Sequence, residues 1–390
     1  MRAIGLEKPD FQFDRADHSL IIGAGLAGCA TARALAAAGM KCTVFDAHDK
    51  LAMAASAVPM AIFRPLATAP SVEQRYFLAA YLELLQELKN LSLTPEVTGL
   101  VALSRATDAQ RHKAPWQPLS ASEASEITGS EIDCPGLYLP AAGAINPARL
   151  CRRWLSHENI SLHTNTCIGS LREHAGDWQV LDTTGTVVGR GQVVVLANAT
   201  AAARFTDGVP LIPVSGQISL FSRDHNLPMR SPAICDRGYV IPTQSGLWSG
   251  ATFHRHVSSA TIREEDTRKN LQFCRRFYAT DSTPLHSWSG LRCTTPDRMP
   301  LIGPLTQTDF AHNAYRDLHH GRRHQRFPKA LYRRGVYAFL GLGSRGVVQA
   351  LYGGKCLADI IFGGNLCDEA TRLAVHPARF LMNEMRRRPV

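Results

Sequence analysis

The run Ser19-Leu20-Ile21-Ile22-Gly23-Ala24-Gly25-Leu26-Ala27-Gly28 decides the fold: an apolar strand turns through a glycine-rich corner into an alanine-rich helix. Each glycine has its own steric task. Gly23 permits the tight turn, Gly25 lets the backbone approach a pyrophosphate, and Gly28 lets the helix pack closely on the sheet. A helix from Cys29 to Ala38 points its N-terminal N–H groups and positive dipole end at the corner, and Gly39 stops it. The next strand, Lys41 to Asp46, ends in an acid 18 residues after Gly28. A carboxylate there accepts the hydroxyls of an adenosine ribose in preference to a 2′-phosphate. The pattern predicts a dinucleotide cradle and does not distinguish NAD from FAD.

The 390 residues can bury a substantial core in one large α/β domain with a second lobe, or in two or three domains. The first 17 residues have neither a positive start nor an apolar segment, so no secretory signal is expected. No stretch is apolar enough to span a bilayer. The ten cysteines include no CxxC, which argues against a disulfide framework or a zinc site. A cytoplasmic protein without a metal is expected. The formal charge is +10, and only eight of the 43 basic residues are lysine. Such arginine use suits planar phosphate recognition, and it equally arises from arginine replacing lysine on solvated faces.

Ala54 to Pro59 is a small-residue segment able to lie against a cofactor. Ser71 and Gln74 form a capping box, and Tyr76, Phe77, Ala80, Tyr81, Leu84, Leu85 and Leu88 recur behind it at the spacing of a core-facing helix. Glu96 to Leu139 reads as strands and loops of a second lobe. Asn146-Pro147 starts a helix, and strands follow at Ile160 to Cys167, Trp178 to Thr183 and Val193 to Leu196. The last, apolar on both faces, reads as a buried parallel strand. It runs into Ala197-Asn198-Ala199-Thr200, at the carboxyl end of the sheet where cofactors bind. The nucleotide domain therefore resumes after an insertion.

Leu211 to Ser289 is again strand-rich, with an amphipathic helix from Arg263 to Tyr278. Arg292, between glycine and threonines, reads either as a buried clamp for a carboxylate or as half of a surface salt bridge. Between His312 and Arg334, seven Lys/Arg and four His face one acid, Asp317. This is a basic flap suited to polyanions, or a solvated insertion without a partner. The strand Val336 to Leu340 leads into a second glycine corner, Gly341-Leu342-Gly343-Ser344-Arg345-Gly346, before a helix from Val347 to Phe362. A cofactor touched from both ends of the chain favours the longer FAD over NAD.

Taken together, the first glycine corner with Asp46, Pro213 with Gly216-Gln217, Gly290-Leu291-Arg292-Cys293-Thr294-Thr295-Pro296-Asp297-Arg298-Met299-Pro300, and the second glycine corner resemble the glycine and D-amino-acid oxidase family of flavoproteins. The likeness spans nearly the whole chain. The Arg-Cys-x-Thr and Gly-Ser-Arg-Gly signatures, with Ala314 to Gly321 between them, are most similar to the oxidoreductase half of bifunctional tRNA 5-methylaminomethyl-2-thiouridine biosynthesis proteins. The resemblance implies an α/β, two-lobed fold in which a Rossmann-type FAD-binding domain (18–68, 141–209, 290–309 and 336–370) is interleaved with an antiparallel-sheet substrate lobe that roofs the flavin (69–140, 210–289 and 310–335, the last as the basic flap). An N-terminal extension (1–17) and a basic tail (371–390) flank them.

The same resemblance implies noncovalent FAD, held by Gly23, Gly25 and Gly28 at the pyrophosphate, Asp46 at the ribose and Ser56 toward the flavin. Cys167 and Ile168 would reach the adenine. Ala199 and Gly303 would also contact the cofactor, and Gly343, Ser344, Arg345 and Gly346 would line the isoalloxazine. Arg292 would grip a substrate carboxylate, with Arg345 beside it in the catalytic set. The family's glycines and asparagine near Ser56 are replaced by Ala57, Val58 and Ala61. The implied reaction is oxidation of the carboxymethylaminomethyl group on a tRNA wobble uridine, releasing glyoxylate, with tRNA phosphates on the flap and the Arg386-Arg387-Arg388 tail. A separate methyltransferase would complete the modification. The alternatives are oxidation of a free glycine, sarcosine or D-amino acid, and an FAD-containing tRNA-binding protein without catalysis.

Overall fold

The apolar run at Ser19 forms an inner strand of a six-stranded sheet. In the computed structural model, which describes residues 5–66, 69–103, 116–224, 231–320 and 327–387, the sheet order is Leu301–Thr306, Tyr332–Leu340, Val193–Leu196, His18–Ile22, Lys41–Phe45 and Ile160–His163. All neighbours are parallel except Leu301–Thr306, an antiparallel edge. Val193–Leu196 is buried along its length, because both faces of a parallel sheet are covered. Ile22 pairs with Leu196, and Leu196 with Ala338, so the carboxyl ends of the three central strands are aligned.

The chain divides into two compact units. The first comprises the described parts of Met1–Met53, Leu150–Ile212 and Cys293–Val390. Its helices Leu26–Ala37 and Gly346–Ile361 cross at small residues, where a Cβ added to Gly354 would stand 2.7 Å from the Ala30 carbonyl oxygen. Leu20, Ile22, Phe45, Val194, Leu196, Val336 and Leu340 form its core together with Trp178 and Val180. Those two come from a three-stranded sheet of Ile168–His174, Asp177–Asp182 and Val187–Gly191. The Trp178 indole donates to the Arg334 carbonyl at 2.8 Å.

The second unit comprises the described parts of Ala54–Arg149 and Pro213–Arg292. It is built on a ten-stranded, largely antiparallel sheet with one parallel pair, Val97–Leu103 with Ala233–Cys235. The helix Val72–Asn90 starts at Ser71, whose hydroxyl accepts from the Gln74 N–H, and it buries Tyr76, Phe77, Ala80, Tyr81, Leu84 and Leu88. Those aromatics are core, as their spacing predicts.

Three expectations need correction. The described parts of 310–335 belong to the first unit and not to the substrate lobe, while residues 54–66, 141–149 and 290–292 belong to the second. Where described, the supposed flap is a helix, Thr308–Tyr315, a 3₁₀ turn, Arg316–His320, and a segment from Phe327 that leads into the strand Tyr332–Leu340. Residues 321–326, and Arg388 of the tail, lie outside the described residues. Ala311, Tyr315 and Leu318 sit four and three apart, so they share one helical face despite the surrounding charge. They pack with Leu6, Tyr332, Met382 and Met385. The tail likewise forms helices Glu369–Val375 and Arg379–Arg387. Finally, Cys356 and Cys367 form a disulfide, which the absence of a regular cysteine spacing concealed.

Arg379 anchors the C-terminal helix. Its guanidinium donates to both carboxylate oxygens of Asp297 at 2.8 Å and to the carbonyls of Met299 and Pro300 at 2.8 and 3.1 Å. Burial pushes the Asp297 pKa up, but Arg379 and the Met299 N–H outweigh it and hold the carboxyl below its ordinary value. A depressed carboxylate stabilises the fold above its unfolded pKa, about 3.9, and the contribution is lost as pH falls through the folded value. Arg379→Met is expected to lower the unfolding free energy by about 2 kcal/mol near neutral pH, a modest figure because Asp297 is partly exposed. Urea titrations should show the gap between variant and wild type closing below about pH 4.

Candidate active site

The first unit carries a cradle at the aligned strand ends. Gly23 has φ +108°, and a Cβ there would lie 2.7 Å from the Ala197 carbonyl oxygen. A Cβ on Gly28 would collide with the Gly23 carbonyl. Gly25 is the N-cap of the Leu26–Ala37 helix, which has no side-chain cap and no acid in its first turn. That helix end suits an anion.

Asp46 follows the second strand. Its carboxylate accepts from the Ala24 N–H at 2.7 Å and from the His48 backbone N–H at 2.9 Å, and the His48 ring Nδ1 lies 2.8 Å away. The strand expected to run to Cys167 ends at His163. The residues that follow hydrogen-bond back instead, Asn165 N–H to the His48 carbonyl and Thr166 N–H to the Asp46 carbonyl, at 2.7 and 2.8 Å. Thr166 is thereby held to Asp46, with Cys167 and the buried Ile168 next in the chain.

Ala199 sits at the third strand end with φ +54°, a left-handed conformation uncommon for alanine. The preceding Asn198 has a buried Oδ1 without a hydrogen-bond partner. A buried, unpaired carbonyl is unfavourable unless a donor arrives. The sequence marked Asn198 only by its place at the carboxyl end of the sheet.

The second glycine corner starts at the end of the Tyr332–Leu340 strand. Gly341 and Gly343 have φ +75° and +57°, and a Cβ on Gly343 would lie 3.1 Å from the Thr294 hydroxyl. Gly343–Arg345 is a 3₁₀ turn leading into Gly346–Ile361, a second helix with no side-chain cap and no acid in its first turn. Gly346 abuts Leu26 of the first corner, a Cβ there lying 3.1 Å from its methyl group, so the two corners meet. Ser344 is exposed and Arg345 half-buried. Gly303 stands apart, in mid-strand opposite Ala338 and facing Pro377. Cys293 is buried, and burial pushes its thiol up to about 11. It is protonated near neutral pH and a poor nucleophile.

The second unit holds Ser56, buried in the 3₁₀ turn Ala55–Ala57, and Arg292, on the strand His286–Thr294. That strand pairs with Ile212–Phe221, which carries Gly216. A Cβ on Gly216 would collide with the guanidinium, so glycine makes room for it. The guanidinium lies over the Phe253 ring, 4.8 Å from its centroid, and its Nη1 is buried without a hydrogen-bond partner. Burial lowers the Arg292 pKa, and the nearby Tyr239 partly offsets this. The salt-bridge alternative does not hold: among the described residues no carboxylate pairs with Arg292. A half-buried guanidinium whose Nη1 is buried and unpartnered is suited to receive a planar anion.

The cradle therefore fits a dinucleotide: backbone is exposed by glycine where phosphate would lie, two helix N-termini are free of acids, and an orphaned carbonyl awaits a donor. The clamp fits a carboxylate. Phe253 and Tyr239 were missed by sequence reading, which has no local signal for an aromatic near an arginine 39 or 53 residues away in the chain.

Residues 18–360 match the DAO family of FAD-dependent oxidoreductases. Two similar proteins are named tRNA 5-methylaminomethyl-2-thiouridine biosynthesis bifunctional protein. The one from Burkholderia cenocepacia is 32% identical, the match covering 96% of this chain and 62% of the relative. The one from Thiobacillus denitrificans is also 32% identical, covering 94% and 60%. The chain thus spans about three fifths of the length of these relatives. Among solved structures, glycine oxidase from Geobacillus kaustophilus superposes with TM-score 0.74 at 18% identity, covering 93% of this chain and 99% of that one. L-Proline dehydrogenase from P. horikoshii gives 0.73 at 17%, covering 95% and 99%. These two likenesses establish the two-lobed α/β fold.

Asp46→Ala is expected to raise the dissociation constant for FAD about tenfold, the loss of a charge-assisted hydrogen-bond acceptor. Flavin fluorescence quenching on titration into the deflavinated protein measures it.

Proposed function

Because the chain belongs to the DAO family of FAD-dependent oxidoreductases, we propose that it oxidises a secondary amine bearing a carboxylate, the carboxymethylaminomethyl group of a tRNA wobble uridine. The observation that carries the carboxylate is the unpartnered, buried Nη1 of Arg292. The tRNA is supported by the relatives' name and by the +10 charge of the chain.

On this reading Gly23, Gly25 and Gly28 hold the pyrophosphate of a noncovalent FAD, Asp46 its ribose, and Cys167 and Ile168 its adenine. Ser56, Ala199 and Gly343 to Gly346 complete its contacts, with Arg345 near the reacting end, while Gly303, which stands apart, is given no contact. Bound FAD supplies the acceptor for two electrons. Arg292 binds the carboxylate and orients the Cα–H bond, a positioning effect that contributes roughly 7–11 kcal/mol in favourable cases. The amine binds neutral, so no dedicated base is assigned. Loss of a hydride and a proton converts the N–Cα bond to C=N, and water then releases glyoxylate and leaves aminomethyl uridine. A separate methyltransferase activity would act on that amine.

Arg316 and Lys329 are 72% and 58% exposed at their side chains, Arg316 lying 3.9 Å from Asp317 and Lys329 3.3 Å from both Glu7 and Asp10, and Arg387 is also exposed. Phosphate contacts at such a surface make binding salt-dependent. No helix among the described residues is long and apolar enough to cross a membrane.

The test is incubation of the FAD-loaded protein with tRNA carrying carboxymethylaminomethyl uridine, followed by nucleoside mass spectrometry. Conversion to aminomethyl uridine with glyoxylate is expected, weakening as salt rises. Peroxide from free glycine or sarcosine with unchanged tRNA would instead assign a free amino acid substrate, and bound tRNA without flavin bleaching a non-catalytic role. Arg292→Gln should lower kcat/KM by about a hundredfold, the range for a charge-assisted contact, with bound flavin retained in the absorption spectrum.

A further inference from the structure

Phe253 is 58% exposed, in the segment between the strand Gly246–Gly250 and the short strand His254–Arg255. Single exposed apolar residues are ordinary on protein surfaces. This one is set apart by its neighbour: the Arg292 guanidinium lies over the ring, 4.8 Å from the centroid, and Arg292 Nη1 has no partner. The ring is also fixed between constrained neighbours. Thr252 on one side accepts from the Gln217 N–H at 3.1 Å through its hydroxyl, and His254 on the other holds the buried Asp266 at 2.9 Å. A large aromatic surface is thus presented to solvent in a defined place, beside a receptor for a carboxylate.

Resting on the reading above, we propose that Phe253 is the stacking platform for the uracil ring of the substrate nucleotide. Four single bonds separate uracil C5 from the carboxylate carbon, a reach of roughly 5 Å at about 1.5 Å per bond with tetrahedral angles. The guanidinium carbon is 4.8 Å from the ring centroid, so a base tethered by such a reach to a carboxylate on Arg292 stays within range of the exposed part of the ring that the guanidinium does not cover. Every base has a π-face that stacks on aromatic side chains, and proteins that read single-stranded or splayed RNA use such contacts. A free amino acid has no base to stack, so Phe253 contributes to the choice of nucleic acid over small amine.

The experiment uses the FAD-loaded full chain and its Phe253→Leu and Phe253→Trp variants. Two dissociation constants are measured: that of a labelled anticodon stem-loop bearing carboxymethylaminomethyl uridine, by fluorescence anisotropy, and that of acetate, by perturbation of the flavin spectrum. Phe253→Leu is expected to weaken the stem-loop roughly tenfold, at least fivefold more than it weakens acetate, and Phe253→Trp to bind the stem-loop like the wild type. Equal losses for both probes would reduce Phe253 to a cover for Arg292 and overturn the proposal. So would an unchanged stem-loop affinity in Phe253→Leu. If wild type converts the tRNA and either of those results is found, the base-stacking inference falls alone. If wild type does not bind the modified stem-loop, it falls together with the functional reading.

Discussion

Backbone lying directly against backbone is the constraint on which the first unit depends. Gly28 leaves no side chain between its helix and the Gly23 carbonyl, Gly23 none between its turn and Ala197, and Gly354 none between two helices at Ala30. Each contact excludes even a methyl group. The three central strands must consequently end in register, and their corners converge as the contact of Gly346 with Leu26 shows. A phosphate-binding cradle built this way presents main-chain N–H groups and helix dipoles, which stay fixed where a charged side chain would have rotamers to lose.

The close contacts explain why this part of the fold was legible from sequence. A residue required to be glycine by its neighbours leaves a spacing, and the acid ending Lys41–Phe45 stands at a predictable distance from it. The Val193–Leu196 strand was equally readable, since burial on both faces leaves no polar alternation. Arg292 was not decidable locally. Whether an arginine is paired depends on which acid the fold delivers, and no window around residue 292 contains that information. The segment near His312 misled for another reason: its apolar residues are few and small or aromatic, so composition reported charge while the three- and four-residue spacing of Ala311, Tyr315 and Leu318 specified a packed helix. The unit boundaries shifted because strands and helices such as His286–Thr294 and Pro147–Leu155 run through them without any turn signal.

Leaving Arg292 unpaired has consequences for the energetics of the second unit. A buried guanidinium with an unused N–H forfeits hydration without recovering it from protein, which destabilises the unliganded fold. The Phe253 ring returns part of this through its π-face. The rest is recovered only when an anion arrives. Sites of this kind trade stability for a preorganised contact, and neutralising the cation with a nearby acid would remove the contact along with the penalty.

Two length scales of charge then divide the labour of recognition. The +10 excess and the exposed arginines act at separations up to the Debye length, about 8 Å at physiological salt, and favour any polyanion without regard to sequence. Arg292 acts only at hydrogen-bond distance, and a guanidinium stays charged at every working pH. Its selectivity is therefore for geometry: a planar carboxylate fits the fork bidentately, while tetrahedral phosphates have every exposed cation as an alternative partner. Attraction can be weakened by salt without altering what the clamp accepts, and the clamp can be altered without changing what the surface attracts, so on the reading proposed above affinity for RNA and choice of the reacting group belong to different residues.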